Sequence, residues 1–146
     1  MNETYDHDFV RWADEQADLL RAGRHSEVDF EHILLELQEM ASAQKVALQS
    51  ALRGVLVRMF NLLSSPDSEQ RDRWEEDAAE LRAEILFRLD EAPSLRRRLP
   101  ELVTNAWPQA RVTIQKSFDG GQRVHISTTC PFSIAEILES ESQEVV

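Results

Sequence analysis

The sequence predicts an all-α fold: one domain built as a bundle of about five main helices, with a short helix near its C-terminus. Three observations lead there. The chain has only four glycines in 146 residues. Its long stretches repeat apolar residues every three to four positions, the period of a helix with one buried face. Its breakers stand between those stretches, at Gly23, Pro66 and Pro93. The scarcity of glycine also argues against Gly-rich phosphate loops and nucleophile elbows.

The elements follow in order. A first helix is predicted from about Tyr5 to Ala22, with Tyr5, Phe9, Trp12, Leu19 and Leu20 on helical spacing and Gly23 as its left-handed stop. A second starts near Asp29, whose carboxylate caps free N–H groups. Phe30, Ile33, Leu34, Leu37 and Met40 form its expected buried stripe. A third covers Ala43 to Leu63, with Leu48, Leu52, Val55, Leu56, Met59, Phe60 and Leu63 as a wide apolar face and Val57 and Leu62 outside it. Such a wide face marks a central helix. Ser64, Ser65, Pro66 and Asp67 end it. A fourth spans Ser68 to Asp90 with Trp74, Ala78, Leu81, Ile85 and Leu89 on one side.

Pro93 breaks the chain again, and a short helical piece is expected over Leu95–Leu99. Residues 101–118 fit a helix kinked at Pro108. The alternation Val112-Thr113-Ile114-Gln115, the turn Asp119-Gly120-Gly121 and the alternation up to Ile126 also fit a β-hairpin. An isolated hairpin is marginal in water, so helix is preferred. Ser133-Ile134-Ala135-Glu136 is a capping box opening a short helix through Leu138. The domain is therefore expected to cover residues 1–139, with 140–146 an acidic, frayed tail.

The net charge of −11 disfavours wholesale nucleic-acid binding and attachment to an anionic membrane. Charge alternates in sign along the chain. Residues 1–44 carry eleven acids and three bases, residues 45–65 three bases and no acid, residues 66–93 ten acids and four bases, and residues 94–118 five bases and one acid. Neighbouring helices of opposite sign then fit together. The single cysteine, Cys130, suits a reducing compartment. The first residues carry no basic, apolar leader, and no apolar stretch is expected to reach the ~20 residues that cross a bilayer. A cytoplasmic location is the expectation.

A set of short motifs runs through the chain: Tyr5-Asp6, Asp8-Phe9, Trp12 and Leu19-Leu20-Arg21, then Asp29 to Glu36 and Glu39. Trp74 follows, eight residues before Arg82 in Leu81-Arg82-Ala83-Glu84-Ile85. Pro93-Ser94-Leu95 and Cys130-Pro131-Phe132 precede Ile137-Leu138. In this order and spacing the chain resembles a bacterial family of domains of unknown function, the twenty-ninth of that series (DUF29). The resemblance covers about residues 5–138. It implies an α-helical bundle with no established activity, and supports helix over hairpin for residues 101–117. The chain departs from the family where many relatives carry a His and a Lys; here these are Arg58 and Asn61. Where relatives carry Phe-Pro before Cys-Pro, this chain has Ile126 and Ser127.

Few residues point to chemistry. Asp29, His32, Glu36 and Glu39 share one side of a helix, and a His with carboxylates can ligate a divalent metal. A metal site needs three or four convergent ligands, so a cap and a solvated face explain them better, and no cofactor is expected. Cys130 lies near a helix start with His125 five residues before it, a pairing that can activate a thiol, although a free Cys is more often packed. Arg82 is expected to pair with an acid or a carbonyl inside the bundle, with anion binding as the alternative. Trp12, Trp74 and Trp107 are expected in the core or an interface.

The function expected is a non-enzymatic, helical interaction or self-associating module, whose partner is a protein or a second copy. The alternative is a metal-dependent or thiol-based enzyme using the Asp29/His32/Glu36 side or Cys130. DNA binding through Arg96–Arg98 ranks last.

Overall fold

The structure, a computed structural model, describes residues 3–118 and 125–139. Among these residues it holds six α-helices and no strand: α1 (Glu3–His7), α2 (Phe9–Arg21), α3 (Phe30–Ser64), α4 (Arg71–Glu91), α5 (Leu99–Ser117) and α6 (Ile134–Leu138). Two 3-10 segments, His25–Glu27 and Pro93–Arg98, join α2 to α3 and α4 to α5. The chain forms two compact units, Met1–Ala43 and Gln44–Val146.

In the first unit, the single helix predicted over Tyr5–Ala22 is two helices. Asp8 divides them, with φ −150° and ψ 84°, and its carboxylate caps α2 by accepting from the Arg11 N–H at 3.1 Å. A short polar side chain that competes for backbone N–H groups is suited to such a start. Gly23, at φ +70°, turns the chain out of α2 as expected.

The second and third predicted helices are one continuous helix of 35 residues, α3. The boundary assigned near Met40–Ala43 contains no breaker: Ala41, Ser42, Ala43 and Gln44 all tolerate a helix, and alanine favours it most. The stripe expected to be buried on its first part is largely not buried. Phe30, Leu34, Leu37 and Met40 are 55–66% exposed, and only Ile33 is half-buried.

The second unit is built around residues 44–64 of α3. Leu48, Leu52, Val55 and Leu56 are fully buried. They join a single cluster with Ala78, Ile85 and Leu89 of α4, and with Leu102, Val103, Ala106, Trp107, Ala110 and Ile114 of α5. Val57, placed outside the apolar face by the sequence, is buried, whereas Leu63, placed on it, is exposed. The core thus reaches further round the helix than a single stripe and stops before its last turn. Helix α4 begins at Arg71 rather than Ser68, because Ser65 to Gln70 form successive turns.

Residues 99–117 are helical, so Val112–Gln115 form no strand; the Asp119-Gly120-Gly121 turn lies outside the described residues, as does the tail 140–146. Pro108 sits within α5 on an exposed position. The capping box at Ser133 and Glu136 is complete, with reciprocal bonds of 3.1 Å.

By length and composition α3 is able to cross a membrane, against the sequence expectation. Half of its most apolar window is buried within the protein.

At Gly54 α3 and α4 approach closely: a Cβ added there lies 3.0 Å from Leu81 Cδ1. The Gly54→Val variant is expected to lose about 1–3 kcal/mol by overpacking, measured by urea unfolding. Wild-type stability in that variant would show that α3 and α4 do not meet there.

Candidate functional site

The polar residues singled out on the second predicted helix converge with the aromatic residues of the first. All lie in the first unit. Asp29 precedes α3 and is its cap: Oδ1 accepts the His32 N–H at 3.3 Å. Its other oxygen, Oδ2, accepts the Trp12 indole N–H at 3.0 Å and lies 2.7 Å from His32 Nδ1. The Asp29 N–H donates to Gln16 Oε1 at 2.7 Å, which explains why a glutamine is buried on α2. The Tyr5 ring stacks on the His32 imidazole at 3.9 Å and meets Trp12 edge-on at 4.9 Å. Its hydroxyl donates to Glu36 Oε1 at 2.5 Å.

Trp12, Asp29, His32, Tyr5 and Glu36 are therefore one network linking α1 and α2 to the start of α3. Burial works to raise the Asp29 carboxyl, but hydrogen bonds from His32 and Trp12 outweigh it and hold the group below the ordinary carboxylate value. The bond to Glu36 leads the causes that push Tyr5 up to about 12, so its hydroxyl stays protonated. Asp29 and His32 are bound to each other, and Glu36 is bound to Tyr5. Among the described residues, no group of three or more His, Cys, Asp or Glu side chains is placed to hold a metal ion.

An apolar groove of about 220 Å³ lies beside this network, lined by Ala13, Ala17 and Leu20 of α2 and by Ile33 and Leu37 of α3. The periodicity of each helix pointed to these residues. That the two half-exposed faces together leave an open groove was not visible in either helix alone.

In the second unit Arg82 is buried, and its Nε donates to the Ile137 carbonyl at 2.9 Å. That carbonyl is among the last of α6, which no residue within the helix can satisfy. Arg82 thus ties α4 to the end of the chain's last helix. Trp107 acts similarly on the segment before α6, donating its indole N–H to the Ser127 carbonyl at 3.0 Å. Cys130 is half-buried against this region, and burial pushes its thiol up. His125 is exposed and, among the described residues, makes no hydrogen bond to it.

Trp74 is half-buried and lines a cleft of about 690 Å³ between the last turns of α3, the first half of α4 and the end of α5. Arg58, Asn61, Arg73 and Asp77 line it too, with Arg58 Nη2 3.5 Å from Asp77 Oδ2. Sequence reading missed this cleft because its lining comes from three helices and a turn. Its signal was weak: an asparagine and an arginine on the central helix, close to its end.

Comparison with known proteins adds the family and the fold. The family described as Domain of unknown function DUF29 matches residues 4–142. A search of the curated proteins found no match. Among solved structures, an α-helical protein of unknown function from Rhodospirillum rubrum is similar at a TM-score of 0.60 and 23% identity, over 97% of this chain and 92% of that one. The likeness shows the all-α fold.

Two measurements check the network and the Arg82 tie. A carboxylate with a lowered folded-state value stabilises the fold above its unfolded value, and that contribution is lost as pH falls through the folded value. The Trp12 indole N–H resonance is therefore expected to shift as pH falls below about 4 and Asp29 takes a proton; a resonance that stays fixed through that range would contradict the assignment. Arg82→Met is expected to cost about 1–3 kcal/mol and to speed amide exchange in α6. Unchanged exchange there would remove the tie.

Proposed function

The chain belongs to the DUF29 family, and from that premise we propose that it is a non-enzymatic, self-associating helical module whose partner is a second copy through the first unit. The observation that carries this reading is the exposed stripe on the first part of α3. Phe30, Leu34, Leu37 and Ala41 are spaced by four, three and four residues, the spacing of a helix–helix seam. Apolar side chains left more than half exposed in a row along a helix mark an interface rather than chance.

Charge is compatible with a second copy despite the acidity of residues 1–44. At 100° per residue, Glu39 lies about 170° round the helix from the middle of the seam, Glu31 about 90° and Glu36 about 130°, where it meets Tyr5 and lines one side of the groove. The seam itself carries no carboxylate. The groove beside it supplies the complementary half: a ridge of Phe30 and Leu34 next to a hollow lined by Ala13, Ala17 and Leu20. A ridge and a hollow on one surface suit a twofold pair, in which each copy fills the other. The Asp29 network supports the reading by fixing α2 against α3 and so keeping the hollow in shape. The raised Cys130 thiol weighs against thiol chemistry.

Sedimentation of the wild-type chain at micromolar concentration is expected to show a dimer. The double variant Leu34→Glu, Leu37→Glu is expected to weaken it at least ~100-fold, since each leucine contributes about 1.5–3 kcal/mol when covered. Its helicity should be unchanged, because both side chains are exposed in the single chain. A wild-type monomer at ~100 μM would contradict the proposal.

A further inference from the structure

We infer that the cleft between the end of α3, the Arg82 face of α4 and the segment opening α6 binds a monocarboxylate with an unbranched apolar body of medium length, its carboxylate on the Nη groups of Arg82. The volume of about 420 Å³ falls within the range of small-ligand pockets, ~300–1,000 Å³. The inference does not depend on self-association.

Arg82 carries the argument. It is more than nine-tenths buried, and its Nε donates to the Ile137 carbonyl at 2.9 Å. Among the described residues it forms no ion pair, and neither of its Nη groups makes a hydrogen bond. Buried arginines are almost always paired with an acid, because an uncompensated charge away from water is costly. The Nη groups are not sealed in. Among the described residues, the one side-chain nitrogen that is both enclosed and partnerless is Nε of Arg111. Arg82 lines the cleft, so its accessible Nη edge opens there. The bond from Nε to Ile137 fixes the plane of the guanidinium and leaves that edge as a two-pronged donor. Two parallel N–H groups match the two oxygens of a carboxylate.

The rest of the lining sets the body of the ligand. At 100° per residue, Arg71, Glu75 and Arg82 fall within about 40° of one another and form one row along α4. Arg71 is bound to Glu75 at 2.9 Å, so that pair closes one end of the row while Arg82 stays open at the other. Seven residues separate Glu75 from Arg82, about 10 Å along the axis. The facing wall is apolar: Met59 and Leu62 are half-buried, Leu63 is exposed, and the half-buried Phe132 ring adds a further side. A single charge at one end of an apolar slot suits a ligand built the same way. The acids select against a second charge. Glu75 is already paired, and Glu136 accepts the Ser133 N–H at 3.1 Å, so both remain carboxylates beside the cleft and repel a dianion.

The test uses the full chain labelled with ¹⁵N and titrated with octanoate. Acetate supplies the head alone, octanol the body alone, and suberate the same body with a second carboxylate. Octanoate is expected to bind saturably below ~1 mM and to move the Arg82 Nε–H resonance. Acetate, octanol and suberate are each expected to bind at least ~10-fold more weakly. Arg82 itself is left in place, because its loss also frees α6. Leu63→Glu puts a carboxylate on the apolar wall at an exposed position that folding does not need, and should lower octanoate affinity at least ~10-fold. The inference is overturned if octanoate leaves the Arg82 Nε–H resonance unmoved at ~5 mM. It is also overturned if acetate, octanol or suberate binds as tightly as octanoate, or if Leu63→Glu, folded as wild type, binds octanoate equally well.

Discussion

The burial of residues 44–64 of α3 is the constraint on which the second unit depends. Leu48, Leu52, Val55 and Leu56 lose all contact with solvent, and apart from Ala51, Val57 and Phe60 of α3 itself the other buried side chains of the cluster come from elements that cover them. A helix apolar over so much of its circumference cannot be shielded by a single neighbour. Helices α4 and α5 each contribute a stripe. The remaining gap is filled by Ile126 and Ile137, which is why the segment beyond α5 is pinned by Trp107 and Arg82. Gly54 is the small residue that lets α3 and α4 approach closely.

The same helix has a different character before Ala43. There its polar side, not its apolar one, makes the specific contacts. Asp29 caps the helix, holds His32, and receives the Trp12 indole, so that one carboxylate satisfies three groups from two residues. Such networks fix one arrangement of helices because each member leaves an unpaired group if another moves. The apolar side of this half remains uncovered in the single chain. That contrast between a satisfied polar face and an uncovered apolar face is the physical basis of the proposal that a second copy covers it.

The helical class, the capping box at Ser133 and the stop at Gly23 were legible in the sequence because each rests on local chemistry: period, cap and positive φ. The continuity of α3 was not. The apolar pattern thins over residues 41–47 and reads as a break, when it records only a change in what surrounds an unbroken helix. Exposure was illegible for the same reason, since Phe30 and Leu52 have the same periodic signature but only one is covered. Of the site, the grouping of Asp29, His32 and Glu36 on one side of the helix was legible from spacing. Their partners Tyr5, Trp12 and Gln16 were not, because they come from elsewhere in the chain. The cleft around Asn61 was invisible, since a buried polar side chain is recognised only when its surroundings are known.

The claim at the centre of this account is that the apolar stripe of α3 is covered by a second copy. Amide hydrogen exchange across residues 30–43, measured at several protein concentrations, tests it most directly. The account expects protection there to rise with concentration while α5, buried within the single chain, stays constant. Protection that is the same at every concentration would contradict it.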